Sequence, residues 1–353
     1  MPSPIGSLRT ERDPQFDLPD FPASPGASPS ALPPPEPFVP GLDEGLRAFV
    51  EASRAQQKAS ELAQVGGIVA SPADVDAERT AHLRAFFSRF AIEVPVLEGA
   101  QGETRKVTVP FRIALNDIEG HTARLREALG SASSIKNAGL VAAGRATVDQ
   151  LTVVVNDLAR LHPEEFGTRR TQEDVRNYLR TLGVGIDCAG SVQLALLDLH
   201  GLPPDAGPKM GLKPRLLEDL TGLGRQKAFF QEIGDPSALR PGDLIILKHP
   251  PNDAVGHTLI VTEKATGPLT ESECTELARH FPALARPGDD VVRVSVASSF
   301  GWDGPQERTW IYNPLTTDWG DLGGQLFDDR STPAPGRHSG PWDHPKGGMF
   351  RAR

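Results

Sequence analysis

The stretch Val192-Gln193-Leu194-Ala195-Leu196-Leu197-Asp198-Leu199-His200 is apolar nearly all the way round a helix, and Gly201 ends it. A helix without a polar face has to be covered on every side, so the rest of the chain must be built around this one. The run that opens it, Gly183-Val184-Gly185-Ile186-Asp187-Cys188-Ala189-Gly190-Ser191, sets Cys188 directly after Asp187, a good helix cap. A helix start offers unpaired N–H groups and partial positive charge. Both favour thiolate over thiol, and the thiolate is the nucleophilic form. One short run therefore specifies a buried helix and a candidate nucleophile, using one of only two cysteines in 353 residues.

The cover for that helix is expected downstream. Pro241-Gly242 reads as a turn, and Asp243–Lys248 as a strand. Gly256–Thr262, Val291–Ala297 and Glu307–Tyr312 read as further strands, with a helix from about Glu271 to Ala285 between them. Residues 314–348 look loop-like, and Met349-Phe350-Arg351 reads as a closing strand. Upstream, Ser71-Pro72 is a cap followed by a first-turn proline. Ala146–Leu161 carries Val148, Leu151, Val155, Leu158 and Leu161 on one face, and Thr171–Leu182 reads as a short helix capped by Thr171. Asp43–Gln64 reads as a further helix, and Val107–Phe111 as a short extended link. Helices first and strands after give an α+β order.

Three segments follow. Residues 1–41 are a Pro-rich tail, expected to be disordered, since residues 1–40 hold 12 of the 33 prolines. Residues 42–164 read as a mainly helical domain without a chemical motif, and residues 165–353 as the domain that carries chemistry. The net charge of −9 excludes nucleic acid as the main partner. No run approaches the ~18 apolar residues of a membrane span. The N-terminus lacks a charged start followed by an apolar core, so synthesis in the cytoplasm without a Sec signal is expected. No His/Cys spacing suits zinc, and no metal or cofactor is implied. Cys274 lies in what reads as an exposed acidic helix start; a Cys188–Cys274 bridge would be the alternative use of both thiols.

A cysteine nucleophile needs a base. His257, just after the loop Pro250–Val255 and near the start of a strand, is the best candidate. A third polar group would orient its imidazole. Asp303 ranks first, because a carboxylate holds an imidazolium better than a hydroxyl does, and Ser298 second. Asp187 would hold the substrate amine or cap the helix. His162, His200 and His280 sit at or near helix ends, where histidine meets the dipole. Trp302, Trp310 and Trp319 read as core or loop anchors, with a substrate groove as the other use.

Ile186-Asp187-Cys188-Ala189-Gly190, then Pro241-Gly242-Asp243-Leu244-Ile245, then Gly256-His257, resemble the boxes of the NlpC/P60 cell-wall peptidases, relatives of the CHAP amidases. The resemblance covers roughly residues 170–313. It implies a papain-like domain in which the cysteine-bearing helix packs on an antiparallel sheet, and cysteine-dependent hydrolysis of an amide in peptidoglycan peptides. The family's Ser after the cysteine is Ala189 here, and the segment Gly201–Leu239 between the boxes is long. A cell-wall enzyme without a Sec signal would fit export by another route, as an antibacterial effector with an immunity protein as partner. Two other readings keep the same residues: acyl transfer or deamidation on a protein or lipid target, and a degenerate binding module.

Overall fold

The computed structural model describes residues 71–96, 103–111, 117–204, 230–248, 256–279, 281–300, 304–322 and 348–352. The Pro-rich tail, the expected Asp43–Gln64 helix, Trp302, Asp303 and His280 lie outside them. The described part is mixed α+β.

Its first half is built from α1 (Pro72–Ser88), the hairpin β1 (Ala91–Pro95) and β2 (Thr104–Thr108), α2 (Ile118–Leu129), α3 (Ala138–Ala142), α4 (Val148–Leu161), α5 (Pro163–Phe166) and α6 (Gln172–Thr181). Local sequence sets these starts. Ser71, Thr147 and Thr171 each close a capping box, with Asp74, Gln150 and Asp174 respectively, so two otherwise orphaned N–H groups are satisfied at each helix start. Next comes α7 (Cys188–Leu199), the expected apolar helix.

The second half is a seven-stranded sheet made of β3 (Phe230–Ile233), β4 (Leu244–Lys248), β5 (Gly256–Pro268), β6 (Asp290–Phe300), β7 (Gly304–Asn313), β8 (Asp318–Asp321) and β9 (Gly348–Ala352). The spatial order is β3-β9-β4-β5-β6-β7-β8, and every neighbouring pair is antiparallel. The last strand thus lies inside the sheet, with Phe350 opposite Leu244. One short helix, α8 (Glu271–Leu277), joins β5 to β6.

The pleat divides the apolar residues between two faces. Leu244, Ile246, Ile260 and Ala297 share a core with Leu83 and Phe90 of the α1 region, Leu151 and Leu158 of α4, and Val192 and Leu196 of α7. Residues on both sides of 164/165 therefore build one core, within a compact unit that spans Gly41–Arg353. Ile245, Leu259, Val261 and Val296 point the other way, toward Leu277, Phe281, Trp310 and Trp319. Both tryptophans are fully buried core residues and line no groove.

The strands are longer and the connecting helix shorter than expected. β5 continues past Thr262 to Pro268 through a bulge between Val261 and Glu263. α8 stops at Leu277, and Phe281 and Leu284 enter the core from beyond it. β3 and β8 were not anticipated. Phe-Gln-Glu-Ile and Asp-Trp-Gly-Asp have little strand character of their own, and they pair because β9 and β7 present open edges. Cys274 is buried rather than exposed. It shares the inward face of α8 with Leu277. Burial, and then the charges of Glu273, Asp289 and Glu271, push its thiol pKa up. Both cysteines are free, so the Cys188–Cys274 bridge is absent.

One charge pair ties β9 to the turn before β4, and another ties α8 to β6. Arg240–Asp243 forms a type II turn: the Asp243 N–H donates to the Arg240 carbonyl at 3.0 Å, and Gly242 takes φ +94° where L side chains are strained. The Asp243 side chain, 3% exposed, accepts from Arg351 of β9 at 2.8 and 2.6 Å. Burial raises the Asp243 carboxyl and Arg351 opposes that rise. Replacing Arg351 by Met leaves a buried, unpaired carboxylate and should cost about 2–4 kcal/mol by urea unfolding; a loss under ~0.5 kcal/mol would contradict this. Glu273 caps α8 and accepts from Arg293 of β6 at 2.6 Å through both oxygens. Arg293 brings its pKa from the ordinary 4.5 to about 2. A depressed carboxyl contributes stability above its free pKa and loses it as pH falls through the folded value. Glu273→Gln should therefore be about 1–2 kcal/mol less stable than the parent at pH 7. That gap should narrow steadily below pH ~4.5, measured as urea midpoints at pH 7, 4 and 3.

Candidate functional site

The residues before Cys188 are fixed from two sides. The Ile186 N–H donates to the Pro110 carbonyl at 3.1 Å, within a parallel bridge between Phe111 and Ile186. Its carbonyl accepts from the Ser299 hydroxyl of β6 at 2.8 Å. Asp187 then caps α7, its side chain accepting from the Gly190 N–H. Cys188 is the first helical residue and is 6% exposed. The fully buried Ser191 donates its hydroxyl to the Cys188 carbonyl at 3.0 Å, securing the first turn.

Gly190 is dictated by packing. A Cβ there would lie 2.7 Å from the Gly144 carbonyl and 2.9 Å from Asp187 Oδ1. The loop after α3 therefore presses against the first turn of α7 and brings Arg145 with it, Nη2 standing 3.7 Å from Asp187 Oδ2. Burial pushes the Asp187 carboxyl up; Arg145 and the Gly190 N–H pull it back only in part. A partnered carboxylate with a raised pKa means that desolvation outweighs attraction at this pair.

His257 is the second residue of β5, opposite Leu247, and is 9% exposed. Its ring lies 5.0 Å from that of Phe300, and the Arg308 guanidinium sits 4.4 Å from the Phe300 ring centroid. Alternation along β5 assigns the faces. Ile260 belongs to the core shared with α7, and Thr258 follows it onto that side. Leu259 and Val261 belong to the opposite face, and His257 follows them, beside Phe300. Cys188 and His257 thus meet at the same end of the sheet but approach it from different faces. Thr258, the neighbour on the other face of β5, is fully buried.

Ser298 is fully buried and donates its hydroxyl to the Thr258 carbonyl at 2.7 Å. It lies on the His257 face, between Val296 and Phe300. Ser299, beside it, bonds to the backbone that carries Cys188. His200, at the end of α7, is not a charged cap: burial first, then Arg79, brings its pKa down to about 4. Among the described residues no three His, Cys, Asp or Glu side chains form a group that could hold a metal ion. No helix among them is long and apolar enough to cross a membrane.

Sequence reasoning missed Arg145. Ser299 is one of three serines, with Ser295 and Ser298, that its strand offers as a third polar group, and its hydroxyl bonds to the backbone just before Cys188. Arg145 lies in a stretch without a motif and reaches the site only through the Gly144–Gly190 contact. No protein-family model, curated protein or solved structure matches this chain.

Proposed function

We propose that this chain is a cysteine-dependent amide hydrolase of papain-like, NlpC/P60 character, acting on peptidoglycan peptides. Cys188 is the nucleophile and His257 the general base, then acid. The thiolate adds to the amide carbonyl, a thioester forms, and the amine leaves with the proton that His257 took from the thiol. Water, deprotonated by His257, then releases the acid. The Cys188 N–H at the helix start donates to the developing oxyanion.

The single observation that supports this reading is the placement of Cys188. It opens a buried helix whose first turn is held by Asp187, Ser191, Pro110 and Ser299. A thiol kept only for packing needs no such fixing. The second reading, a non-catalytic binding module, has its own observation in the position of His257 beside Phe300, on the face away from α7.

Cys188→Ala should lower muropeptide cleavage by about a thousandfold or more, followed by mass spectrometry. His257→Ala should lower kcat about 10²–10⁴-fold. The Cys188 thiol should react with iodoacetamide at pH 6 faster than a free thiol of pKa about 8.5. Unchanged cleavage by the Cys188 variant overturns the mechanism. Modified but uncleaved acceptors would instead indicate acyl transfer or deamidation. A slow thiol with no product on any acceptor leaves the binding module as the function.

A further inference from the structure

Three arginines of the fold spend their donors on protein groups. Arg84 bonds to Glu307 and Glu263, Arg293 to Glu273 and two carbonyls, and Arg351 to Asp243 and the Ala238 carbonyl. Arg145 does not. Its approach to Asp187, 3.7 Å, is too long for a hydrogen bond, and Nη1 is buried with no hydrogen-bond partner among the described residues. A guanidinium presents five donors in a planar fork suited to a carboxylate. Leaving such donors unmade inside a protein is costly. This fork stands beside the residue that precedes Cys188, and the side chain keeps 30% of its surface in contact with solvent.

Asp187 has little capacity for a substrate amine. One oxygen holds the helix cap and the other faces Arg145. An ammonium brought to Asp187 would be repelled by the neighbouring guanidinium, whereas a carboxylate would find unspent donors. Resting on the reading of Cys188 as nucleophile, we infer that Arg145 is a specificity-determining residue that selects substrates bearing a carboxylate next to the amide under attack. The substrate class is an acidic peptide, bound by Arg145 and not by an amine contact to Asp187. Arg145 is the charged group that acts on Asp187 at this spot.

The preference can be read from the thiol itself, on the full chain and without a substrate. Iodoacetate, iodoacetamide and 2-bromoethylamine alkylate the thiolate with loss of halide and differ in charge. Rates at the Cys188 peptide would be followed by mass spectrometry, which separates it from Cys274, and divided by the rates for glutathione. The carboxylate-to-amide ratio should be about tenfold above that of glutathione. It should fall to about one in Arg145→Gln and be largely kept in Arg145→Lys. It should rise in Asp187→Asn, which preserves a good cap and removes the opposing charge. A ratio at or below one in the parent, no change in Arg145→Gln, or the cationic reagent reacting fastest would each overturn the inference. If Arg145→Gln does not fold, Asp187→Asn decides alone: an unchanged ratio overturns it. The absolute iodoacetamide rate at pH 6 tests the nucleophile reading separately, because a sluggish thiol still reports the ratio.

Discussion

Burial of α7 is the constraint on which the rest of the structure depends. Val192, Leu196, Leu197 and Leu199 are at most 9% exposed, and covering them contributes roughly 6–12 kcal/mol in area terms. No single layer supplies that cover. The sheet provides Leu244, Ile246, Ile260 and Ala297, and the N-terminal helices provide the remainder. A helix enclosed in this way cannot shift along its axis without opening cavities, so the position of its first residue is inherited from the whole core. Cys188 is placed by packing, and the hydrogen bonds of Ile186 and Asp187 refine that placement.

The same packing explains the electrostatics at the helix start. Gly190 lets the Gly144 carbonyl come close enough to exclude a Cβ, and exclusion of solvent from Asp187 follows from that closeness. Arg145 is carried into the resulting space by the backbone contact, not drawn there by a good ion pair, as the 3.7 Å separation shows. Asp243–Arg351 is the counterexample in the same molecule: two short bonds, both carboxylate oxygens used, and a structural role. The contrast between a made pair and a merely adjacent one separates a strut from a group with donors to spare.

Much of this was legible in the chain and some was not, for identifiable reasons. Caps at Ser71 and Thr171, the turn at Pro241-Gly242 and the apolar helix are local signals, and each appears where its residues dictate. β3 and β8 depend on partners distant in sequence, so their own residues carry little of the signal. Cys274 was misjudged because its acidic neighbours suggested exposure, while the i, i+3 pair with Leu277 sets the buried face. His257 shows the sharpest boundary. Its strand was readable, but which face it takes turns on a single residue of register, and only pairing with Leu247 and contact with Phe300 fix it.

The same strand ends bear on what surrounds the start of α7. His257 occupies the second position of β5, and Ser299 ties the neighbouring strand to Ile186. In that geometry the helical half of the chain is not a spacer ahead of an independent catalytic unit. It supplies the Pro110 carbonyl that holds Ile186, the Gly144 carbonyl that forces glycine at 190, and Arg145. Three groups at the start of α7 thus come from residues that carry no motif.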